Sequence, residues 1–276
     1  MKKFLALTMA LAMVLSLAAC GGKGASSSNG TAASSSAASG GSSSSGSDSS
    51  KAVTIQDGKL IMSTNAAFPP YEMTNDSGGF EGIDVEIAGA IADKLGLELV
   101  IDNMDFDAAL LGVQQGKSDI VMAGVSVTDD RLLVMDFSDS YATGIQVVIV
   151  PEGSDVTLDN LGEKMIGTQR ATTGNIYCTD DYGEDHVVAY DSGITAIQAL
   201  MNGQVDCVVI DSAPAHEFVA ANPGLTILDT EYVTEDYAIG VNKGNTALLT
   251  AINGALADLT ADGTVQSIID KYISAA

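Results

Sequence analysis

Hydrophobic residues between positions 52 and 276 recur with two periods, and the two periods alternate along the chain. From Ile83 to Leu95 an isoleucine or leucine stands at every fourth position, which predicts an amphipathic helix that ends at Gly96. Other helices are predicted to begin at Asp105 or Asp107, at Thr128, within 169–174, at Asp191, near 248 and near 265. Short apolar runs predict strands at 60–62, 97–101, 120–122, 146–150, 164–168, 186–190, 206–210, 226–228 and 236–241. This alternation predicts an α/β fold with mostly parallel sheets.

The stretch from Asp119 to Arg131 combines a buried strand with a polar turn. Backbone-accessible or polar groups follow the strand at Ala123, Gly124, Ser126, Thr128 and Arg131. Ligand sites of α/β proteins lie at the carboxyl ends of strands, where backbone groups and side chains are free to meet a small molecule. This stretch therefore predicts half of a binding site.

Residues 109–124 and 196–211 repeat the same pattern 87 positions apart. Each copy has a helix, a glycine stop, an aspartate and an apolar strand. The matched pairs are Gly116 with Gly203, Asp119 with Asp206, and Gly124 with Asp211. Two unrelated helix–strand units are the alternative, but the matched glycines and aspartates favour a duplication. A duplication predicts two similar lobes whose strand ends face a shared site.

The first 51 residues differ from the rest in composition. Lys2 and Lys3 precede an apolar run at 4–17, which predicts a secretory signal peptide over residues 1–20. Leu-Ala-Ala before Cys20 resembles the bacterial lipobox, and this predicts lipidation of Cys20 rather than an ordinary cleavage site. Residues 21–51 are almost entirely glycine, serine and alanine, which predicts a disordered tether.

The composition excludes several functions. A net charge of −24, from 12 basic and 36 acidic residues, argues against nucleic acid as a partner. The two histidines stand apart in sequence, so no metal-ligand cluster and no cofactor are predicted. Nucleophile-elbow, phosphate-loop and dinucleotide motifs do not occur, and no catalytic residue is assigned. Cys178 and Cys207 are predicted to be free buried thiols, with a disulfide as the alternative.

Charged and aromatic residues at several strand ends suit a zwitterion. Arg131 can hold a carboxylate through two hydrogen bonds, and Thr172 and Thr173 begin a helix whose amides favour an anion. Asp211 can hold an ammonium group, while Phe68 and Phe106 follow strand ends and can flank a side chain. Each residue also has a structural alternative, such as a surface ion pair, a helix cap or a core position. Taken together they predict a ligand site.

Residues 52–276 resemble the extracellular solute-binding proteins that feed ABC importers for polar amino acids. The segments that carry the resemblance are 65–71, 82–86, 104–106, 123–131, 136–138 and 172–174. The resemblance implies a type II periplasmic-binding-protein fold, in which two α/β lobes are joined by two crossover strands around a cleft. It places the crossovers near 141–148 and 232–238. The implied lobes are 52–145 with 234–276, and 146–233.

The same resemblance implies roles for single residues. Arg131 would bind the α-carboxylate of an amino acid, helped by the amides of Ser126 and Thr173. Asp211 would bind the α-ammonium group, helped by the Gly124 carbonyl and the Ser126 hydroxyl. Phe68 and Phe106 would border the side chain, with Asn65, Ala123, Gln169 and Thr172 nearby. Relatives that take cationic amino acids often carry Asp or Glu at the position of Asn65, so this neutral residue favours a neutral polar ligand.

The expected protein is thus a monomeric lipoprotein on the outer face of a bacterial membrane. It would capture a free amino acid by lobe closure and pass it to the permease subunits of an ABC importer, without catalysis. Two alternatives stand beside this prediction. One is a cleft enzyme on the same scaffold that resembles cyclohexadienyl dehydratase, and the other is a surface adhesin that needs no ligand.

Overall fold

The computed structural model describes residues 53–229 and 231–273. The predicted signal peptide (1–20), the predicted lipidation site Cys20 and the predicted tether (21–51) lie outside these residues. Within the described part, no helix has the length and hydrophobicity needed to cross a membrane.

Strands and helices alternate along the described chain. The strands are β1 (Lys59–Thr64), β2 (Ala67–Phe68), β3 (Glu72–Thr74), β4 (Phe80–Glu81), β5 (Glu98–Asn103), β6 (Ile120–Val121), β7 (Met135–Pro151), β8 (Ile166–Gln169), β9 (Val187–Tyr190), β10 (Cys207–Asp211), β11 (Leu225–Ile227) and β12 (Val233–Asn242). The helices are α1 (Ile83–Leu95), α2 (Phe106–Gln114), α3 (Asp129–Val134), α4 (Thr173–Tyr182), α5 (Gly193–Met201), α6 (Ser212–Ala221), α7 (Thr246–Ala261) and α8 (Thr264–Tyr272). Two short 3₁₀ helices lie at Leu158–Glu163 and Glu184–His186.

Among the described residues, nine strands form one mixed sheet. Its order is β5-β1-β6-β12-β7-β10-β8-β9, with β11 also paired to β7. The pairs of β1 with β5 and β6, and of β8 with β9 and β10, are parallel. Every pair made by β7 or β12 is antiparallel. The prediction of mostly parallel sheets is therefore right for the outer strands and wrong for the centre, because the chain crosses there twice in opposite directions.

The two long central strands connect the two ends of the sheet. β7 has 17 residues and pairs with β12 from Val233 opposite Gln146 to Asn242 opposite Met135. The apolar pattern predicted a strand only at 146–150, because the polar segment before it lacks an apolar run, while the family resemblance placed a crossover strand near 141–148. Pairing with β12 makes that segment a strand, which tertiary contacts can impose on a sequence of weak intrinsic preference.

Hydrophobic cores lie on both sides of the central strands. Two clusters pack around β1, β6, α1, α2 and α7, and we call this part the first half. Two others pack around β8, β10, α4 and α5, and we call this part the second half. In α1 the side chains of Ile83, Ile87 and Ile91 are fully buried, as their spacing predicts, and each contributes about 1.5–3 kcal/mol. The exact boundaries of the two lobes stay a prediction.

The 87-residue repeat appears as a repeated local structure. Gly116 and Gly203 have φ angles of 66° and 67°, a left-handed conformation that suits glycine after a helix. The Asp119 carboxylate accepts a hydrogen bond from the amide of Ile61 at 2.8 Å, and Asp206 accepts one from Met165 at 2.7 Å. Each aspartate thus fixes the start of its strand to the neighbouring strand, and this explains why the residue recurs in both copies.

One predicted helix cap is wrong. α5 begins after Ser192, whose hydroxyl accepts a hydrogen bond from the amide of Thr195, rather than after Asp191. Asp191 instead pairs with Arg170 at the surface. Both residues are good N-caps, so the sequence alone does not choose between neighbours. Thr128 caps α3 as predicted, since its hydroxyl accepts from the amide of Arg131.

Candidate functional site

A cavity lies between the two halves, at the ends of β1, β6, β8 and β10. It contains about 440 Å³ of space not filled by protein atoms, part of it open to solvent. All eleven predicted ligand-binding residues lie on its wall: Asn65, Phe68, Phe106, Ala123, Gly124, Ser126, Arg131, Gln169, Thr172, Thr173 and Asp211. The structure therefore brings the predicted residues together, while their roles toward a ligand stay predictions.

Arg131 spans the gap between the halves. Its guanidinium donates to the carbonyl of Ser126 at 2.8 Å and to the carbonyl of Ala171 at 3.0 Å. It also lies 5.6 Å from the centre of the Phe106 ring. Burial lowers the pKa of Arg131, but a guanidinium stays charged in proteins. Three of its five N–H groups make no hydrogen bond within the described residues, so they can meet an anion.

Ala171 adopts a conformation that is unusual for an alanine. Its φ angle is 62°, and among the described residues it is the only non-glycine residue with a positive φ. Left-handed backbone costs an alanine free energy, and such strain is concentrated at functional sites. Here the strained residue presents its carbonyl oxygen to Arg131. A glycine at this position would adopt the same conformation without strain.

The start of α4 closes the same end of the cavity. Thr172 caps this ten-residue helix, because its hydroxyl accepts from the amide of Asn175 at 3.2 Å. Thr173 follows as the first helical residue and is almost fully buried. Free amides at a helix N-terminus favour an anion. Arg131 and the start of α4 together form an end of the cavity that suits a carboxylate.

Glu235, which the sequence did not indicate, lies behind this end of the cavity. One of its carboxylate oxygens accepts three hydrogen bonds: from Ser126 Oγ at 3.1 Å, from Gln146 Nε2 at 3.1 Å and from Thr173 Oγ1 at 2.8 Å. The predicted Ser126 hydroxyl is therefore engaged with Glu235. The residues on either side of Glu235 in the sequence give no sign that it is buried. The sequence alone therefore does not distinguish it from a surface glutamate.

Asp211 lies at the end of β10 and is 1% exposed. Its carboxylate accepts from the amide of Ile145 at 2.9 Å and from the amide of Ala213 at 3.0 Å. Burial raises the pKa of Asp211 to about 6, although a hydrogen bond with Tyr237 and these amides act in the other direction. Asp211 is thus the N-cap of α6 and also lines the cavity, while its role toward an ammonium group stays a prediction.

An amide pair links the two halves at the cavity wall. Gln169 Nε2 donates to Asn65 Oδ1 at 3.0 Å, across the two halves, and Asn65 Nδ2 donates to the carbonyl of Met104 at 2.8 Å. Phe68, also on the wall, stacks on Tyr71, with ring centres 5.9 Å apart. These wall residues are neutral and either polar or aromatic.

Two further acidic groups lie beneath the Gly124 turn. Asp84 accepts a hydrogen bond from the amide of Gly124 at 2.9 Å, and burial raises the pKa of Asp84 to about 6. Glu72 lines the cavity, and its pKa is raised well above the usual value, first by burial and then by the charge of Asp84. Burial therefore favours the neutral form of the Glu72 carboxyl group. Asp84 belongs to a segment that carries the family resemblance (82–86) and Glu72 directly follows another (65–71), but the sequence did not predict that they meet.

Four other wall residues were missed by the sequence reasoning. Gln146 and Tyr237 come from the two central strands, and Val209 and Ile210 from β10. Gly144 explains how the strands come so close here: a Cβ atom at this position would lie 2.4 Å from the Tyr237 ring and 2.6 Å from the Asp211 carboxylate. Only glycine fits, so this residue is a signal that sequence reasoning could have used.

The cysteines and histidines contribute no reactive centre within the described residues. Cys178 and Cys207 are free and buried, as predicted, and burial raises the pKa of each thiol to about 12. Such thiols are unreactive near neutral pH. The described part of the chain contains no group of side chains that could hold a metal ion.

The chain is similar to several known proteins. The profile of the family described as bacterial extracellular solute-binding proteins, family 3, matches residues 60–275. A probable histidine-binding protein of Neisseria gonorrhoeae is 32% identical over 99% of this chain and 96% of that protein. ABC transporter arginine-binding protein 1 of Escherichia coli K12 is 32% identical over 78% of this chain and 90% of that protein.

A solved structure is also similar to this chain. An ancestral arginine-binding protein bound to glutamine matches with a TM-score of 0.76 and 36% identity, over 80% of this chain and 100% of that chain. The match confirms the predicted fold. All three similar proteins are named for binding a solute and none for catalysis, which confirms the prediction that the chain is not an enzyme. The alternative of a cleft enzyme loses its support.

Proposed function

Because this chain belongs to the bacterial extracellular solute-binding proteins of family 3, we propose that it captures an L-amino acid with a neutral polar side chain for an ABC importer. Arg131 binds the α-carboxylate together with the amides of Ser126 and Thr173. Asp211 binds the α-ammonium group together with the Gly124 carbonyl. Proteins of this family act outside the cytoplasm, where the captured amino acid is handed to permease subunits in the membrane.

One observation carries the proposal: a buried arginine and a buried aspartate line the same cavity. Arg131 is 7% exposed and Asp211 is 1% exposed. A buried charge is costly unless it meets a partner, and a zwitterion supplies one partner for each. Every amino acid carries these two charges on neighbouring atoms, so the pair recognises the constant part of the ligand.

The neutral side chain is proposed from the polar groups of the cavity wall. Asn65 and Gln169 offer amide groups there, and burial raises the pKa of Glu72, which favours the neutral form of this carboxyl group. The solved relative is bound to glutamine, and the side chain of that ligand ends in an amide of the kind that such groups recognise. An arginine or lysine side chain is the second candidate, because two relatives are named for histidine and arginine and Glu72 stands on the wall as a latent counter-ion.

A thermal-shift screen of the standard amino acids and cystine tests this function. A ligand at one hundred times its Kd stabilises the folded state by about 2.7 kcal/mol, which raises the Tm of a domain of this size by about 5–10 °C. We expect neutral polar amino acids to give the largest shifts. Asn65→Asp is expected to move the preference toward arginine and lysine by about tenfold, because it adds a carboxylate near the ligand side chain.

Asn245→Asp is the matched control for this change. It also replaces an asparagine with an aspartate, but at the N-cap of α7, away from the cavity. It should leave the order of ligands unchanged. The absence of a shift with every amino acid would contradict the proposed function and favour an adhesin. A largest shift with arginine or lysine in the unaltered protein would contradict only the neutral side chain.

We also propose that Cys20 is lipidated and anchors the mature chain to the outer face of the membrane. The support is the Leu-Ala-Ala-Cys sequence after an apolar run, followed by a glycine-, serine- and alanine-rich segment. Cys20→Ala is expected to move the protein from the membrane fraction into the medium or the soluble extract. Fractionation and immunoblotting measure this, with Cys178→Ala as the control. Equal membrane retention of both variants would contradict the anchor.

Lobe closure is the proposed mode of capture. Three contacts cross between the halves around the cavity: Arg131 to Ala171, Ser126 to Thr173, and Gln169 to Asn65. A ligand held by residues of both halves adds further contacts of this kind, so it favours the closed form over an open one. Closure also excludes water, which strengthens the ion pairs at both charged ends.

A further inference from the structure

Glu235 joins three parts of the chain at one carboxylate oxygen. Ser126 belongs to the first half, Thr173 begins α4 in the second half, and Gln146 lies on β7. Glu235 itself lies on β12 and is 8% exposed. The other carboxylate oxygen is buried and makes no hydrogen bond within the described residues. A buried carboxylate that accepts three side-chain hydrogen bonds is part of the folded structure and not a solvated surface charge.

The residues that Glu235 holds are those that the proposed function assigns to the ligand carboxylate. Ser126 and Thr173 line the cavity, and their hydroxyl oxygens lie 3.4 Å apart across the two halves. Both hydroxyls point to Glu235, which leaves their backbone amides as the groups that meet a ligand. Glu235 does not line the cavity, so it acts on the ligand through these two residues.

We propose that Glu235 is a positioning residue that holds Ser126 and Thr173 together across the two halves and thereby stabilises the closed form and shapes the carboxylate end of the cavity. The part of this inference that concerns the carboxylate rests on the proposed function. The part that concerns closure does not, because Ser126 of the first half and Thr173 of the second half donate to the same Glu235 oxygen whatever the ligand is.

The charge of Glu235 acts in two directions. It lies near enough to Arg131 to oppose the effect of burial on that guanidinium, so it helps to keep a buried cation in place. It also repels a ligand carboxylate bound to the same arginine. If Glu235 stabilises the closed form, its three hydrogen bonds must contribute more free energy than the repulsion costs. Without Glu235, three buried donors would lose their acceptor. Two substitutions separate these effects.

Glu235→Ala removes both the charge and the acceptor, whereas Glu235→Gln removes the charge and keeps an acceptor oxygen. Asp236→Ala is the matched control, since Asp236 is the next residue on β12 and is exposed. Calorimetry and stopped-flow fluorescence with L-glutamine and L-arginine measure affinity and rates. We expect Glu235→Ala to weaken binding about tenfold through faster dissociation, and Glu235→Gln and Asp236→Ala to stay within about threefold of the unaltered protein.

Small-angle X-ray scattering without added ligand provides a readout that does not depend on the ligand. Glu235→Ala is expected to have a larger radius of gyration than the Asp236→Ala control, because the halves separate more often. A double-mutant cycle of Glu235→Ala with Thr173→Val tests whether Glu235 acts on the cavity through Thr173. If Glu235 acts through the Thr173 hydroxyl, the double variant should bind no more than about threefold more weakly than the weaker single variant.

The outcomes decide the proposal. Equal radii and equal affinities for Glu235→Ala and Asp236→Ala would overturn it, as would additive losses in the cycle or a Glu235→Gln variant as weak as Glu235→Ala. Failure of the proposed function is distinguishable, because it would leave the unaltered protein without binding to any amino acid. The scattering comparison would still support or overturn the closure contact in that case.

Discussion

Arg131→Ala is expected to lower the affinity for every amino acid that the protein binds by at least a hundredfold. The ligand carboxylate would enter a buried site without its main partner, and breaking a buried ion pair in this way costs about 3–5 kcal/mol. Each 1.4 kcal/mol is a factor of ten in affinity. Calorimetric titration with the amino acid that gives the largest thermal shift measures the change.

Two further variants make the Arg131 result specific. Arg170→Ala removes an exposed arginine that pairs with Asp191 near the cavity, and it should change affinity by less than threefold. Arg131→Lys keeps the charge but loses the planar pair of donors, so an intermediate loss is expected. Circular dichroism must show that Arg131→Ala folds, because it leaves the Ser126 and Ala171 carbonyls without a donor. An affinity within threefold of the unaltered protein would refute the carboxylate role.

Asp211→Asn is expected to weaken amino acids by about tenfold to a hundredfold, and their des-amino analogues by less than threefold. Asparagine keeps one acceptor oxygen for the amide of Ala213 and is an equally good N-cap, but its side-chain nitrogen cannot accept from the amide of Ile145, so circular dichroism must show that the variant folds. The charge opposite the ammonium group is lost, and the comparison with des-amino analogues isolates its effect from that of the lost hydrogen bond. Asp191→Asn is the control at an exposed ion pair. Equal losses for amino acids and analogues would show that Asp211 is not the ammonium partner.

The pH dependence of binding gives the same residue a second signature. Because the pKa of Asp211 is raised to about 6, the carboxylate is ionised at pH 7 and becomes protonated as the pH falls below 6. Affinity for amino acids is therefore expected to be constant above pH 7 and to fall toward tenfold per pH unit below pH 6. Asp211→Asn should lack most of this fall. The part that persists belongs to other groups, of which Asp84 also has a pKa of about 6.

Stability without ligand should depend on pH in the opposite direction. The folded chain binds protons at Asp84 and Asp211 more tightly than the unfolded chain, in which both have a pKa near 3.8. Their contribution to stability is therefore present in full below about pH 4 and is lost as the pH rises through 6. Acid thus favours the fold at these two positions while it disfavours the proposed ligand contact.

Much of the fold follows from local pattern. The spacing of apolar residues located α1, and the glycines after α2 and α5 marked their ends, because period and left-handed glycines are properties of the local chain. The cavity wall was also predictable in large part, since residues that follow parallel strands gather at one edge of the sheet. Gly124 and Asp211 meet at the cavity for this reason, as the repeat indicated.

The remainder depends on contacts between distant parts of the chain. The first part of β7 has no apolar run and becomes a strand only through β12. Glu235 and Gln146 are ordinary polar residues until these strands pair and bring them behind Ser126 and Thr173. The raised pKa of Glu72 likewise depends on its burial and on the nearby charge of Asp84. The sequence around each of these residues does not show which distant residues will contact it.

The ladder between β7 and β12 is irregular beside the cavity. Its register shifts between Tyr237 and Ala238 and again before Gly240, and Tyr237 also lines the cavity. Among the described residues, the chain passes between the halves only along these two strands, so any rotation of one half against the other must bend them. Interrupted pairing lowers the resistance to bending at that point. A solute in the proposed site that contacts Tyr237 would therefore contact the point at which these strands bend most easily.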